Sequence, residues 1–241
     1  MDNYRIRKLE FNNKNDFNLY IKLKSLFLSE LEENNSNFKD IFDVIRFKSN
    51  MSAYANKVIP DTPFFPIKHI DIFVLERNNN NTLEIENYTP IAYTSISTKL
   101  YGKNNNWDIK PKETFEIENF FVLPEYRLNS KALDLLKYAI KYESERNKKT
   151  AIFNVLSTNS NKYFHFALAD FIMSSQTISN GIHNTNIMYL HQLCCEDVNK
   201  ILNISTKELL KKVFELQHEQ TYENTDIPLS LIEDLNVDLS L

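Results

Sequence analysis

Glycine is nearly missing from this chain: Gly102 and Gly181 are the only two in 241 residues, where an average protein has roughly 7 per cent. Turns that need left-handed backbone must therefore be made by other residues, and the abundant Asn is the natural substitute. Cysteine is as scarce. Cys194 and Cys195 are adjacent, a spacing that suits neither a disulfide framework nor a zinc site, and they read as buried thiols. A basic excess is absent too: 28 Lys and Arg against 32 Asp and Glu give a net charge of −4, so nothing marks a nucleic-acid surface or a site for anionic membranes. No apolar run approaches a membrane span, and MDNYRIRKLEF is too polar for a secretory signal. A cytoplasmic protein is expected. His183 and His191 have no metal-ligand spacing with acids, so no metal is expected.

What is present is a regular alternation of strand and helix patterns. Tyr4 to Leu9 alternates as a strand, and from Asp16 to Leu31 the residues Phe17, Leu19, Tyr20, Leu23, Leu26, Phe27 and Leu31 recur at helical spacing. A second helix is expected over 38–57, followed by IPDTPFFP, an extended loop fixed by prolines around Phe64 and Phe65. Strands are expected at His69 to Glu76 and Ile91 to Thr98, then a polar loop carrying Trp107. Further on come a strand at Thr150 to Leu156, a helix at about Ser160 to Asp170, and two last strands, Phe171 to Thr177 and Asn186 to Gln192, joined by a loop through Gly181. The pattern predicts a mixed sheet covered by helices on both faces.

The centre of the chain is FEIENFFVLPEYRLNSKALDLLKYAIKYESERN, Phe115 to Asn147. Strict alternation puts Phe115, Ile117, Asn119 and Phe121 on one side of a strand and Glu116, Glu118, Phe120 and Val122 on the other. After Leu123 and Pro124 the apolar ladder Leu128, Ala132, Leu135, Leu136, Ala139 and Ile140 marks a helix, with Asn129 or Ser130 to cap it. The first amides of that helix have no intrahelical partner, so the loop at Arg127, Asn129, Ser130 and Lys131 is a candidate anion site.

The run VLPEYRLNSKA resembles the pyrophosphate loop of the GCN5-related N-acetyltransferases, whose pattern is Arg or Gln, two residues, Gly, one residue, then Gly or Ala. Arg127 fills the first position and Ala132 the last, with Ser130 in place of Gly. Val122, five residues earlier, and Pro124, Glu125 and Tyr126 continue the match. STNSNKYFHFALADF is similar to the family's Asn-led helix: Asn159 and Phe171 match, while Phe166 replaces a Tyr and Asp170 a Gly.

The resemblance implies a mixed, mostly antiparallel α/β (α+β) sheet flanked by helices over residues 1–195, with 196–241 as a helical carboxy-terminal extension and an acidic, apolar tail, docked on the domain or on a second copy. It implies acetyl coenzyme A as co-substrate and a primary amine, of a small molecule or a protein, as acceptor. Coenzyme A would be held by Phe121, Val122, Arg127, Leu128, Asn129, Ser130, Lys131, Ala132 and Asn159, the strand splaying at Val122 to accept the pantetheine arm. Glu116 stands at the family's usual place for a catalytic Glu, with Glu118 as alternate or ammonium partner. Two carboxylates on one strand face can raise one another's pKa into the working range. Phe166 cannot act as the general acid, and Tyr163 or His165 is the substitute. The runner-up reading is a protein that kept the fold and lost turnover, sensing coenzyme A or binding a protein. Ser130, Phe166, Asp170 and the carboxy-terminal addition motivate it. A capping box at Ser205 and Glu208 predicts the extension's main helix, about Thr206 to Gln220. A homodimer is a further expectation.

Overall fold

The computed structural model describes residues 4–11, 13–34, 70–78, 88–98, 110–127, 131–156, 162–172, 175–183 and 186–222. The helix expected over 38–57, the aromatic wall with Phe64 and Phe65, the loop with Trp107 and the tail beyond 222 lie outside them.

Among the described residues seven strands form one sheet: β1 (Tyr4–Lys8), β2 (Ile70–Asn78), β3 (Tyr88–Ser97), β4 (Thr114–Val122), β5 (Thr150–Leu156), β6 (Ser175–His183) and β7 (Asn186–Cys195), in the order β1-β2-β3-β4-β5-β7-β6. Every neighbouring pair is antiparallel except β4 and β5. That single parallel pair needs a crossover, which α2 (Lys131–Ser144) supplies. The other helices are α1 (Lys14–Asn34), α3 (Lys162–Ile172), the single turn α4 (Asn199–Leu202) and α5 (Thr206–Tyr222).

Two apolar clusters fill the two faces. On one, Phe73, Ala92, Ile96, Phe115, Ile117, Phe120, Val122 and Phe153 meet Leu135, Leu136, Ala139 and Ile140 of α2, Ala167 and Leu168 of α3, and Leu209 and Val213 of α5. On the other, Ile72, Val74, Tyr93 and Phe121 meet Tyr20, Leu23, Phe27, Leu28 and Leu31 of α1. Burial of a large apolar side chain is worth roughly 1.5–3 kcal/mol, so Leu209 and Val213 anchor α5 to the same core that α2 serves.

Local signals place the helix ends. Asn13 caps α1, its side-chain oxygen accepting from the Asn15 amide at 2.9 Å, and Ser205 Oγ accepts from the Glu208 amide at 3.4 Å, as the capping box predicts. Past the end of α2 the chain turns at Asn147, whose φ of 64° is the left-handed conformation usually left to glycine. The Arg146 and Lys148 amides both close on the Glu143 carbonyl there. Asn does take glycine's place at this turn.

Four sequence expectations change. Helix α3 runs through Ile172, so the following strand starts at Ser175 and not at Phe171. Gly181 lies within that strand opposite Met188. The strand expected from Ile91 starts at Tyr88 and has Pro90 inside it, beside a bulge: Leu75 pairs Ala92 and Glu76 pairs Pro90, which leaves Ile91 over. Leu26, placed on the buried stripe of α1, is 40% exposed.

Candidate active site

A second bulge reorganises β4. Ser95 pairs with Asn119 but Ile96 pairs with Ile117, so Glu118 has no opposite residue on β3. A single extra residue shifts the phase of the alternation. Phe115, Ile117, Phe120 and Val122 therefore share one face, against α2 and α3. Asn119, opposite Ser95, and Phe121, opposite Tyr93, share the other with Glu116. The strict alternation read from the sequence, with Glu116 and Glu118 beside Phe120 and Val122, is corrected by that one residue.

The bulge falls where the sheet opens. Strands β4 and β5 pair only from Thr114 with Thr150 to Ile117 with Phe153. Past that point Asn119 to Val122 stay on β3, and Asn154 to Leu156 stay on β7. Between the parted strands the ladder that a continuous sheet would carry is interrupted among the described residues.

On the α1 side of the opening lies a cluster of polar groups. Glu116 is 2% exposed and Glu118 is half-buried. The Glu118 carboxyl is raised above its ordinary value by burial, opposed by the Lys24 ammonium, raised further by Glu116 and lowered by a hydrogen bond from Ser97. Lys24 is pushed down to about 8 by burial, against the pull of Glu118. Its ammonium donates to Asn119 Oδ1 at 2.6 Å, while Asn119 Nδ2 donates to Ser95 Oγ. Tyr20 and Tyr93 complete the group, both phenols raised by burial and by the Glu118 charge. The Tyr93 hydroxyl is fully buried with no hydrogen-bond partner among the described residues; an unmet buried hydroxyl costs about 1–3 kcal/mol.

At the end of β4 the Arg127 guanidinium is tied down. Its Nε donates to the Val122 carbonyl at 3.2 Å, and an Nη pairs with Glu30 of α1. Lys131 opens α2 and pairs with Asp134 at 3.3 Å, and Ala132 is buried one position later. Leu128, Asn129, Ser130 and Asn159 lie outside the described residues. On the opposite face Tyr163 is half-buried against the larger core. His165 is boxed by Phe120, Phe153 and Phe164, and burial pushes it down to about 4. It is therefore a neutral imidazole at physiological pH and a poor proton donor. Phe164 stacks on Phe120 with centroids 4.9 Å apart.

The structure thus gathers Glu118, Phe121 and Val122 at one opening, with Glu116 in the paired part of β4 just before it and Arg127 bonded to the Val122 carbonyl there. Lys24, Tyr20 and Tyr93 are additions that the sequence reading missed as functional groups. Lys24 carried a signal: it falls four residues after Tyr20 and three before Phe27, a lysine in the middle of an apolar stripe. Among the described residues no group of His, Cys, Asp and Glu could hold a metal ion, and no helix is long and apolar enough to cross a membrane. Cys195 donates its thiol hydrogen to the Asp197 carbonyl at 3.1 Å, and burial pushes it up to about 11. That thiol stays protonated and unreactive at neutral pH.

An antiparallel sheet with one parallel pair that parts halfway, crossed by a helix, is the fold of the GCN5-related N-acetyltransferases. Solved structures bear out that fold. The chain is similar to the spermidine N-acetyltransferase of Vibrio cholerae, a structure in complex with CoA and spermine, with a TM-score of 0.51 at 15% identity over 83% of this chain and 99% of that one. It is similar to an N-acetyltransferase of Staphylococcus aureus Mu50, with a TM-score of 0.50 at 15% identity over 81% of this chain and 99% of that one. No protein-family model matches the sequence, and no curated protein matches it. Likeness at this identity establishes the fold.

Proposed function

We propose that the protein transfers an acetyl group from acetyl coenzyme A to a primary amine. The observation that carries this reading is the parting of β4 from β5 directly after Ile117 and Phe153, with the bulged Glu118 at the apex. A pantetheine arm presents amides that can take up the strand pairing left open there. Its thioester would then lie beside Phe121 and Val122. Arg127 and Lys131, with the loop residues Leu128 to Ser130, Ala132 and Asn159, are the proposed coenzyme A contacts.

An amine attacks only without its extra proton. Glu118 is the proposed base, because it stands at the opening while Glu116 is sealed inside the paired part of β4 and raises it by charge repulsion. The ammonium gives its extra proton to Glu118, the amine nitrogen bonds to the acetyl carbonyl carbon, the carbon–sulfur bond breaks to release coenzyme A thiolate, and the second proton that nitrogen loses in becoming an amide makes good the one given to that thiolate by its donor. Tyr163 is the proposed donor to that thiolate. The acceptor class stays a small-molecule or protein amine. The homodimer and cytoplasmic location expected from the sequence belong to this proposal, the first to be read by sedimentation velocity.

The test is thiol release from acetyl coenzyme A across an amine panel, run beside calorimetric titration of the same ligand. Saturable binding with amine-dependent thiol release is expected. No binding at millimolar ligand would overturn the reading, and binding without transfer to any amine would replace it with a coenzyme A sensor.

A further inference from the structure

A lysine on the core-facing stripe of a helix is costly unless its charge has a purpose and a partner. Lys24 has both at hand. Its stem packs toward Phe27, with the ammonium 5.2 Å from that ring centroid, and the ammonium is anchored on Asn119 Oδ1 at 2.6 Å. Asn119 is itself fixed: its Nδ2 is spent on Ser95 Oγ, and its backbone carbonyl accepts from Thr94 Oγ1 at 2.9 Å. The amide oxygen is therefore aimed at α1, and the lysine is held next to the one residue of β4 that the bulge pushes out of the ladder.

We propose that Lys24 is a positioning residue for acetyl transfer: anchored on Asn119, its ammonium keeps the neighbouring Glu118 ionised so that Glu118 can take the proton of the incoming amine. This rests on the reading of the opening as an acyl-transfer site. The groups that face Glu118 are Tyr20 and Lys24 from α1, Tyr93 and Ser97 from β3, and Glu116 and Asn119 from β4. Among the described residues Lys24 is the cation of this set. Burial and Glu116 both favour the neutral carboxyl; Lys24 opposes them, aided by the Ser97 hydrogen bond. Without it the balance at Glu118 moves further toward the neutral carboxyl, which cannot take the amine's proton. A half-buried acid and a half-buried amine that interact titrate as a pair, so the lysine also ties the useful pH range of the site to its own ionisation.

The experiment reads Glu118 directly. Glutamate labelled with carbon-13 at Cδ is incorporated, the Glu118 signal is identified by its loss in Glu118→Gln, and the signal is titrated in wild type, Lys24→Met and Lys24→Arg. The Met variant is expected to raise the Glu118 midpoint by at least about one pH unit, the size of effect an adjacent opposite charge has on a carboxyl, and the Arg variant to restore it. The acid limb of the kcat/KM profile should move with the midpoint. An unmoved midpoint in Lys24→Met overturns the proposal. If that variant does not fold, Asn119→Ala, which frees the ammonium from its anchor, decides in its place: a wild-type midpoint there is equally fatal. The titration needs no turnover, so a moved midpoint in a protein that acetylates nothing supports the coupling and overturns only the enzymatic reading.

Discussion

Glu118 and Glu143 are both carboxyls taken out of water, both raised by burial, and both opposed by a nearby cation. Their surroundings differ. Glu143, on α2, is fully buried and pushed up to about 7. Arg146 Nη1 reaches its Oε1 at 3.1 Å and Asp71 of β2 at 2.7 Å, and Lys8 of β1 takes the other Asp71 oxygen at 2.7 Å. This network joins two strands to a helix where the sheet is continuous. Glu118 sits where two strands part, in a bulge, beside a hydroxyl at Tyr93 that has no partner among the described residues. A perturbed carboxyl alone is equally compatible with a structural clasp and with a base. The break in the backbone ladder separates them.

The largest effect should come from Glu118. Replacing it with Gln keeps the shape and removes the base, so kcat/KM for the best amine should fall by about 10² to 10⁴-fold, with acetyl coenzyme A affinity nearly unchanged by calorimetry. Glu143→Gln should leave kcat/KM as it is. An activity loss as deep in the Glu143 variant would erase the contrast.

The next effect is on stability, and it reverses the roles. The folded protein holds the Glu143 proton more tightly than the unfolded chain, at about 7 against 4.5. Between those values the folded state carries more protons, so the contribution is fully present below 4.5 and lost as pH rises through 7. Glu143→Gln is neutral at every pH and should escape that loss. Thermal melts are expected to show the variant gaining on wild type by about 1–3 kcal/mol between pH 5 and pH 8. A constant difference across that range would show that the network holds Glu143 ionised throughout.

How much of this could be read from the sequence follows from what each feature depends on. Helices α1, α2 and α5 announce themselves because apolar spacing and caps such as Asn13 and Ser205 act within a few residues of chain. Arg127 and the strand–helix order around it were legible for the same reason. The bulge was not. Phe115 to Val122 alternates well enough to look regular, and only the partner strand decides which residue is left over. The Lys24 cluster was hidden further still, since Lys24 and Asn119 lie 95 residues apart. The exit of β6 past Gly181 was misread because glycine signals a turn in most chains, and here Gly181 lies in the strand opposite Met188.

The smallest effects expected are those of the two arginines that close each region. Arg127 joins Glu30 of α1 to the Val122 carbonyl, as Arg146 joins Asp71 to Glu143. Both guanidiniums are partly exposed, at 25% and 51% of their side chains, and pairs open to water contribute about 1 kcal/mol or less to stability. Arg127→Met and Arg146→Met should therefore melt within a few degrees of wild type. Their functional consequences should diverge. If Arg127 turns from Glu30 to the coenzyme A pyrophosphate, its loss removes one charge-assisted contact, worth about tenfold in affinity for acetyl coenzyme A. Arg146 has no such second partner, and its loss should leave that affinity alone while raising the Glu143 midpoint, so that the decline in stability still starts near 4.5 but runs on to higher pH than in wild type. Equal affinities in the two variants would mean that Arg127 is a clasp like Arg146, and that the anion is held by the α2 amino terminus and Lys131 without it.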